Sequence, residues 1–159
     1  VQGDTFAQIR RDLSERIAAD TDGEARESRT EWDLRWSIGR SETEFGCAVD
    51  SVDVRLDVSH LLPRLEARNS LPAEVKDAWD AYADTLLEHE LRHRRLAVEA
   101  TRALEMRLLG MPDSTTCERL SAAADDIAAD LTGVARRRER QFDATARERL
   151  NFATYEILR

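Results

Sequence analysis

His89-Glu90-Leu91-Arg92-His93 sits inside a run whose apolar residues, Val75, Trp79, Tyr82, Leu86, Leu96, Ala100 and Leu104, recur every three to four positions. That spacing marks the buried stripe of one long helix. The two histidines fall in the same stripe, while Glu88, Arg92, Arg94 and Arg95 flank it and read as a solvated face. Residues four apart on a helix share a face, so His89 and His93 can turn both rings onto one point. An inward-pointing imidazole needs a partner for its ring nitrogens, because an unpaired buried polar group costs free energy. A metal ion shared by the two rings is such a partner.

The order of residue types within the stretch adds chemistry to this geometry. HExxH is the spacing of zinc hydrolases, in which the two histidines are ligands and the carboxylate after the first stands beside the open coordination position. There Glu90 can take the proton of a metal-bound water and later pass it to a leaving amine. The expected activity is therefore zinc-dependent hydrolysis of a peptide or protein substrate, with Glu90 as general base and then acid. The competing reading is a pair of surface or satisfied core histidines with no metal.

Outward from the motif helix, Pro72 suits its first turn, and Gly110 and Pro112 mark its end. Upstream, Trp32, Leu34, Trp36 and Ile38 alternate with polar residues, as do Val52, Val54, Leu56 and Val58. The alternation predicts two half-buried antiparallel strands linked through Gly39 to Gly46, both tryptophans facing the core, with Pro63 closing the strand region. Before the strands, Asp4 can cap a first helix striped by Phe6, Ile9, Leu13 and Ile17, which ends before the turn Asp20-Thr21-Asp22-Gly23. After the motif helix, Ser114 can cap another, in which Cys117, Leu120, Ala124, Ile127, Leu131 and Val134 follow a heptad phase that continues through Arg138, Gln141, Thr145 and Glu148. The run Arg136 to Arg140 reads as a solvated face. His60 reads as a strand-end surface residue, and Tyr155 as a packing residue. The expected fold class is α+β, a small antiparallel sheet packed against long helices with HExxH on a long central helix, zincin-like in arrangement.

At 159 residues the chain is expected to form a single domain spanning 1–159. Its net charge of -8, from 32 acidic against 24 basic side chains, argues against nucleic acid or an anionic membrane as the main partner. No apolar run approaches the length needed for membrane insertion. Oligomeric state has no signal in the sequence. Cys47 and Cys117 each lie beside apolar residues, and they are either two buried free thiols or one long-range disulfide. A bridge closing a loop of about 70 residues would stabilise the fold by roughly 4 kcal/mol in the chain-entropy model.

The layout resembles a known family, the predicted secreted zinc-dependent proteases grouped as domain of unknown function 922. The resemblance rests on the strand Trp32 to Ile38, the segment Cys47 to Val58 followed by Pro63, Trp79, Glu88-His89-Glu90 with His93, Cys117, and the tail Phe142-Asp143-Ala144-Thr145. It implies a secreted or periplasmic protein and a disulfide between Cys47 and Cys117. The family tail is similar to Tyr-Asp-x-x-Thr-x-His-Gly, whose histidine suits a third zinc ligand. Here Glu148 and Arg149 stand in place of that histidine and glycine. Glutamate is a competent oxygen ligand, so Glu148 ranks first as the third ligand, Asp143 second as ligand or as the acceptor that orients a ligand histidine, and Asp130 third. Loss of the ligand would instead leave a non-catalytic interaction or scaffold domain with a degenerate zinc site. A straight helical hairpin turning near Pro112 would put His89 about 30 Å and Glu148 about 50 Å from the turn at 1.5 Å per residue, a register closer to Asp130.

Overall fold

Three helices and one β-hairpin make up the described chain in the order α1 (Phe6–Ala19), β1 (Arg29–Thr43), β2 (Gly46–Leu61), α2 (Ala73–Leu109) and α3 (Cys117–Ala146), with a 3-10 turn, Arg68–Ser70, leading into α2. The computed structural model describes residues 1–19, 27–66 and 68–146, and the side chains of all of these except 17–19. The architecture is α+β, with a two-stranded antiparallel sheet. By contacts the chain divides into two compact units. One comprises Val1–Glu31, Ser59–Arg92 and the chain from Asp143, the other Trp32–Val58 and His93–Phe142.

The first unit packs α1 and the first half of α2 around Ile9, Leu13, Leu65, Val75, Trp79, Tyr82 and Leu86. Of the expected stripes, Ile9 and Leu13 of α1 and Val75, Trp79, Tyr82 and Leu86 of α2 are buried there and Phe6 is half-buried, while the Ile17 side chain lies outside the described residues. Trp79 and Tyr82 lie tilted against each other with ring centroids 5.5 Å apart. Helix α1 begins at a capping box. Thr5 Oγ1 accepts from the Gln8 backbone N–H at 3.4 Å, and Gln8 Oε1 accepts from the Thr5 N–H at 3.2 Å. The cap is therefore Thr5 rather than Asp4, because only Thr5 has a partner of the right type three residues on. Pro72 offers its carbonyl to the N–H groups of Val75 and Lys76 and so opens α2.

The second unit packs the hairpin onto the later half of α2 and most of α3. Leu34, Trp36, Ile38, Val52 and Val54 lie against Leu104, Leu108, Ala124 and Ala128, while Trp32, Leu56 and Val58 lie against Ala97, Ala100 and Ala135. Both tryptophans belong to the core, Trp32 buried and Trp36 half-buried. The strands run further than their apolar alternation. They continue through Gly39 to Thr43, leaving Glu44 and Phe45 as the loop. Positions 40–43 are polar and exposed, so the tip is a strand by backbone pairing alone, which apolar periodicity cannot reveal.

Gly46 ends that loop with φ of +137°, and a Cβ there would stand 2.0 Å from the Ser114 carbonyl oxygen. Only glycine meets both conditions. The close approach lets Cys47 and Ser114 exchange two backbone hydrogen bonds, Cys47 N–H to Ser114 O at 2.8 Å and Ser114 N–H to Cys47 O at 2.9 Å. Ser114 is thus occupied in a β-bridge, and Thr116 caps α3 by accepting from the Arg119 N–H at 3.3 Å. Beside the bridge, Cys47 and Cys117 form a disulfide with Cα atoms 5.1 Å apart.

The buried line of α3 is Leu120, Ala124, Ala128, Ala135 and Glu139. It departs from the heptad phase after Leu131, leaving Val134 and Arg138 exposed. A strict 3.5-residue repeat holds one seam only in a left-handed supercoil, whereas a line advancing mostly by four follows the i, i+4 ridge, and its alanines permit close approach. Pairing of α2 with α3 centres near Thr116, not near Pro112, because the chain between the helices is spent on the β-bridge to Cys47. That shift of register decides which acidic residue meets the motif.

Candidate metal centre

The motif lies in mid-helix. An uninterrupted α2 holds His89 and His93 one turn apart. His93 is buried, and His89 keeps 9 % of its side-chain surface. Around them Glu88, Arg92, Arg94 and Arg95 are exposed, as the stripe requires, and so are the apolar Leu87 and Leu91.

In the first unit, His89 Nε2 lies 3.1 Å from Asp143 Oδ1. In a tetrahedral zinc site with ligands at about 2.0 to 2.1 Å, two donor atoms are separated by about 3.3 Å. The His89–Asp143 pair already has that spacing, so the chemistry and distance of these donors fit zinc. His89 and Asp143 thus offer one donor atom each, and His93 follows His89 by one turn of the same helix. Of the three acidic candidates, Asp143 is thus beside a motif histidine, Asp130 is exposed on α3, and Glu148 lies outside the described residues, as do Arg149 and Tyr155.

In the second unit, His93 Nδ1 lies 3.6 Å from Glu139 Oε1, and its ring meets Phe142 edge-on at 5.4 Å between centroids. Glu139 is buried and accepts from Trp32 Nε1–H at 2.6 Å and from Arg136 at 3.2 Å. Arg136 in turn stacks 3.6 Å over the Trp32 ring and donates to the Trp32 carbonyl at 3.0 Å. Burial raises the Glu139 pKa, but His93, Trp32 and Arg136 together outweigh it and hold the carboxyl below its ordinary range. The segment Arg136 to Arg140 is therefore not a uniformly solvated face. Arg137, Arg138 and Arg140 are exposed, whereas Arg136 and Glu139 turn inward.

Glu90 is 2 % exposed and faces the start of β1. Ser28 Oγ donates to Glu90 Oε1 at 2.5 Å, and Thr30 Oγ1 makes a short contact with Oε2. Thr30 Oγ1 also lies 2.8 Å from His60 Nδ1. An ionised carboxylate only accepts, so with Glu90 charged Thr30 donates to it and accepts from an Nδ1–H of His60. His60 is half-buried and tied into this chain rather than a plain surface residue.

Ser28, Thr30 and Glu139 carry no motif of their own. For Glu139 a signal did exist: Glu139 and Asp143 are four apart on one helix, mirroring His89 and His93 on the other. Ser28 and Thr30 had none, since two hydroxyls before a strand are common and their proximity to Glu90 spans 60 residues or more.

The profile of the family described as "Bacterial protein of unknown function (DUF922)" matches residues 1–149. The chain belongs to DUF922. The match takes in both motif histidines, Glu90, the two cysteines and both acidic residues beside the histidines. No curated protein and no solved structure matches the chain. Within this DUF922 chain no described helix is long and apolar enough to cross a membrane.

Proposed function

We propose that the protein is a zinc-dependent peptidase in which His89, His93 and Asp143 hold the metal and Glu90 is the general base. The observation that carries the reading is the 3.1 Å approach of Asp143 to His89 Nε2, with His93 one helical turn further on. When bound there, zinc would supply Lewis acidity, polarising a scissile carbonyl and lowering the pKa of water.

Glu90 accepts a proton from the attacking water and returns it to the leaving amine. Its carboxylate is fixed by Ser28 and Thr30, and Thr30 is itself held by His60, so little reorientation is needed at the moment of proton transfer. The substrate class is a peptide or protein. A surface with a net charge of -8 gives no support for nucleic acid. The disulfide supports a secreted or periplasmic location, where such bridges persist.

A second reading, a non-catalytic interaction domain with a degenerate site, is favoured by one observation. Both Glu90 oxygens are already engaged by hydroxyls. Metal analysis of the purified protein separates the two. The peptidase reading expects one zinc per chain, lost in His93→Ala, together with peptide hydrolysis that depends on Glu90. Sub-stoichiometric zinc, unchanged in His93→Ala, would remove it.

A further inference from the structure

The buried polar and charged residues among those described are Ser28, Glu90, His93 and Glu139, and they form two pairs. Ser28 with Glu90 belongs to the base. In the other pair His93 is the proposed ligand, but Glu139 has no role in the function proposed so far, although Trp32 and Arg136 hold its buried carboxylate beside that ring.

We propose that Glu139 is the positioning residue for His93, accepting its Nδ1–H and so presenting Nε2, with its lone pair, to the metal. The inference rests on the reading of His93 as a zinc ligand and names the residue that sets its tautomer. Three features carry it. First, the carboxylate is anchored independently of the histidine. Trp32 Nε1–H binds Oε1, Arg136 binds Oε2, and Arg136 is itself held by the Trp32 ring and carbonyl. The acceptor is thus in place before any ion arrives.

Second, a carboxylate has no proton to give, so the ring nitrogen nearest to it is the one that carries hydrogen. That nitrogen is Nδ1. The neutral ring then has its lone pair on Nε2, the arrangement found when an outer carboxylate orients a metal-bound histidine. At 3.6 Å the pair is longer than a hydrogen bond. A cation on Nε2 makes Nδ1–H a stronger donor, and charge-assisted N–H···O bonds shorten to about 2.7–2.9 Å.

Third, both Glu139 oxygens already accept N–H groups, which fits an orienting acceptor better than a ligand. Asp143 differs: its Oδ1 approaches the Nε2 of the other histidine, as two ligands of one ion would. The two carboxylates one turn apart on α3 therefore divide the work, Asp143 as ligand and Glu139 as orienter.

The test uses the full chain and needs no substrate. With 15N-labelled histidine, NMR of the metal-free protein at a pH where the ring is neutral is expected to show His93 as the Nδ1–H tautomer. In Glu139→Gln that preference is expected to weaken, and zinc affinity, measured by chelator competition, to fall by about 10- to 100-fold. Trp32→Phe removes the indole bond but leaves the carboxylate, so it should keep the tautomer even if it melts earlier. An Nε2–H tautomer in the wild type overturns the proposal. So does a Glu139→Gln protein with unchanged tautomer and affinity, or one that loses zinc as completely as His93→Ala, which would make Glu139 a ligand. Should Glu139→Gln fail to fold, the wild-type tautomer alone decides. A wild-type protein that binds no zinc defeats the peptidase reading, while the metal-free tautomer still tests this inference separately.

Discussion

Glu90 and His89 are adjacent on α2 but are expected to fail in different ways. Glu90→Gln keeps an acceptor for Ser28 and nearly the same volume, so the protein should fold and keep its zinc while peptide hydrolysis falls by about two to four orders of magnitude. His89→Ala should lose metal, because it removes the ring whose Nε2 meets Asp143. Zinc content and hydrolysis measured on both variants check this, and equal zinc loss in the two would make Glu90 a ligand. A second residue-scale prediction concerns Glu27, whose carboxyl is pushed up by burial and only partly held back by the Tyr82 hydroxyl at 2.6 Å. A group with a raised folded pKa adds stability below its unfolded pKa, and that contribution disappears as pH rises through the folded value. Glu27→Gln preserves an acceptor for Tyr82 and cannot ionise. It should therefore melt above wild type at neutral pH and show no advantage below the ordinary glutamate range. Melting curves across that window decide. At this scale the two histidines were legible because they fall in the phase of a strong apolar stripe, whereas Glu139 had only its four-residue spacing from Asp143, because an acidic residue beside arginines carries the same local pattern whether it is solvated or buried.

Among the elements, the hairpin and α3 are joined at one end by chemistry that neither strand alternation nor helical phase encodes. Gly46 allows the backbone of the hairpin to reach Ser114, the β-bridge fixes that approach, and Cys47–Cys117 locks it. Reduction of the disulfide is expected to lower stability by about 2–5 kcal/mol, read as an earlier denaturation midpoint in reductant. Two thiols that alkylate freely in unfolded, unreduced protein would contradict the bridge. Helices α2 and α3 existed in the sequence as periodic runs, but their relative register did not. A pairing register centred near Pro112 and one centred near Thr116 leave the same periodicity, and only the second brings Asp143 to His89.

For the molecule as a whole, a site built from residues far apart in sequence couples metal binding to folding. An ion that binds the folded chain and not the unfolded one stabilises by mass action, about 2.7 kcal/mol at a free concentration one hundred times Kd. Chelation is expected to lower Tm, and restored zinc to raise it again. His93→Ala should melt at one temperature with or without zinc, and a wild type equally indifferent to zinc would detach the site from folding.

The amino-acid order by itself determined the α+β class, the helices as periodic runs, the two strands by alternation, and the inward face of His89 and His93. These are local properties, set by repeats of about 3.6 and 2 residues that side-chain burial imposes on any helix or half-buried strand. Tertiary structure alone decided the partners: Asp143 for His89, Glu139 for His93, and Ser28 and Thr30 for Glu90. Each depends on register between elements distant in sequence, and register is fixed by how alanines, a glycine and a β-bridge let backbones approach, which no local repeat records.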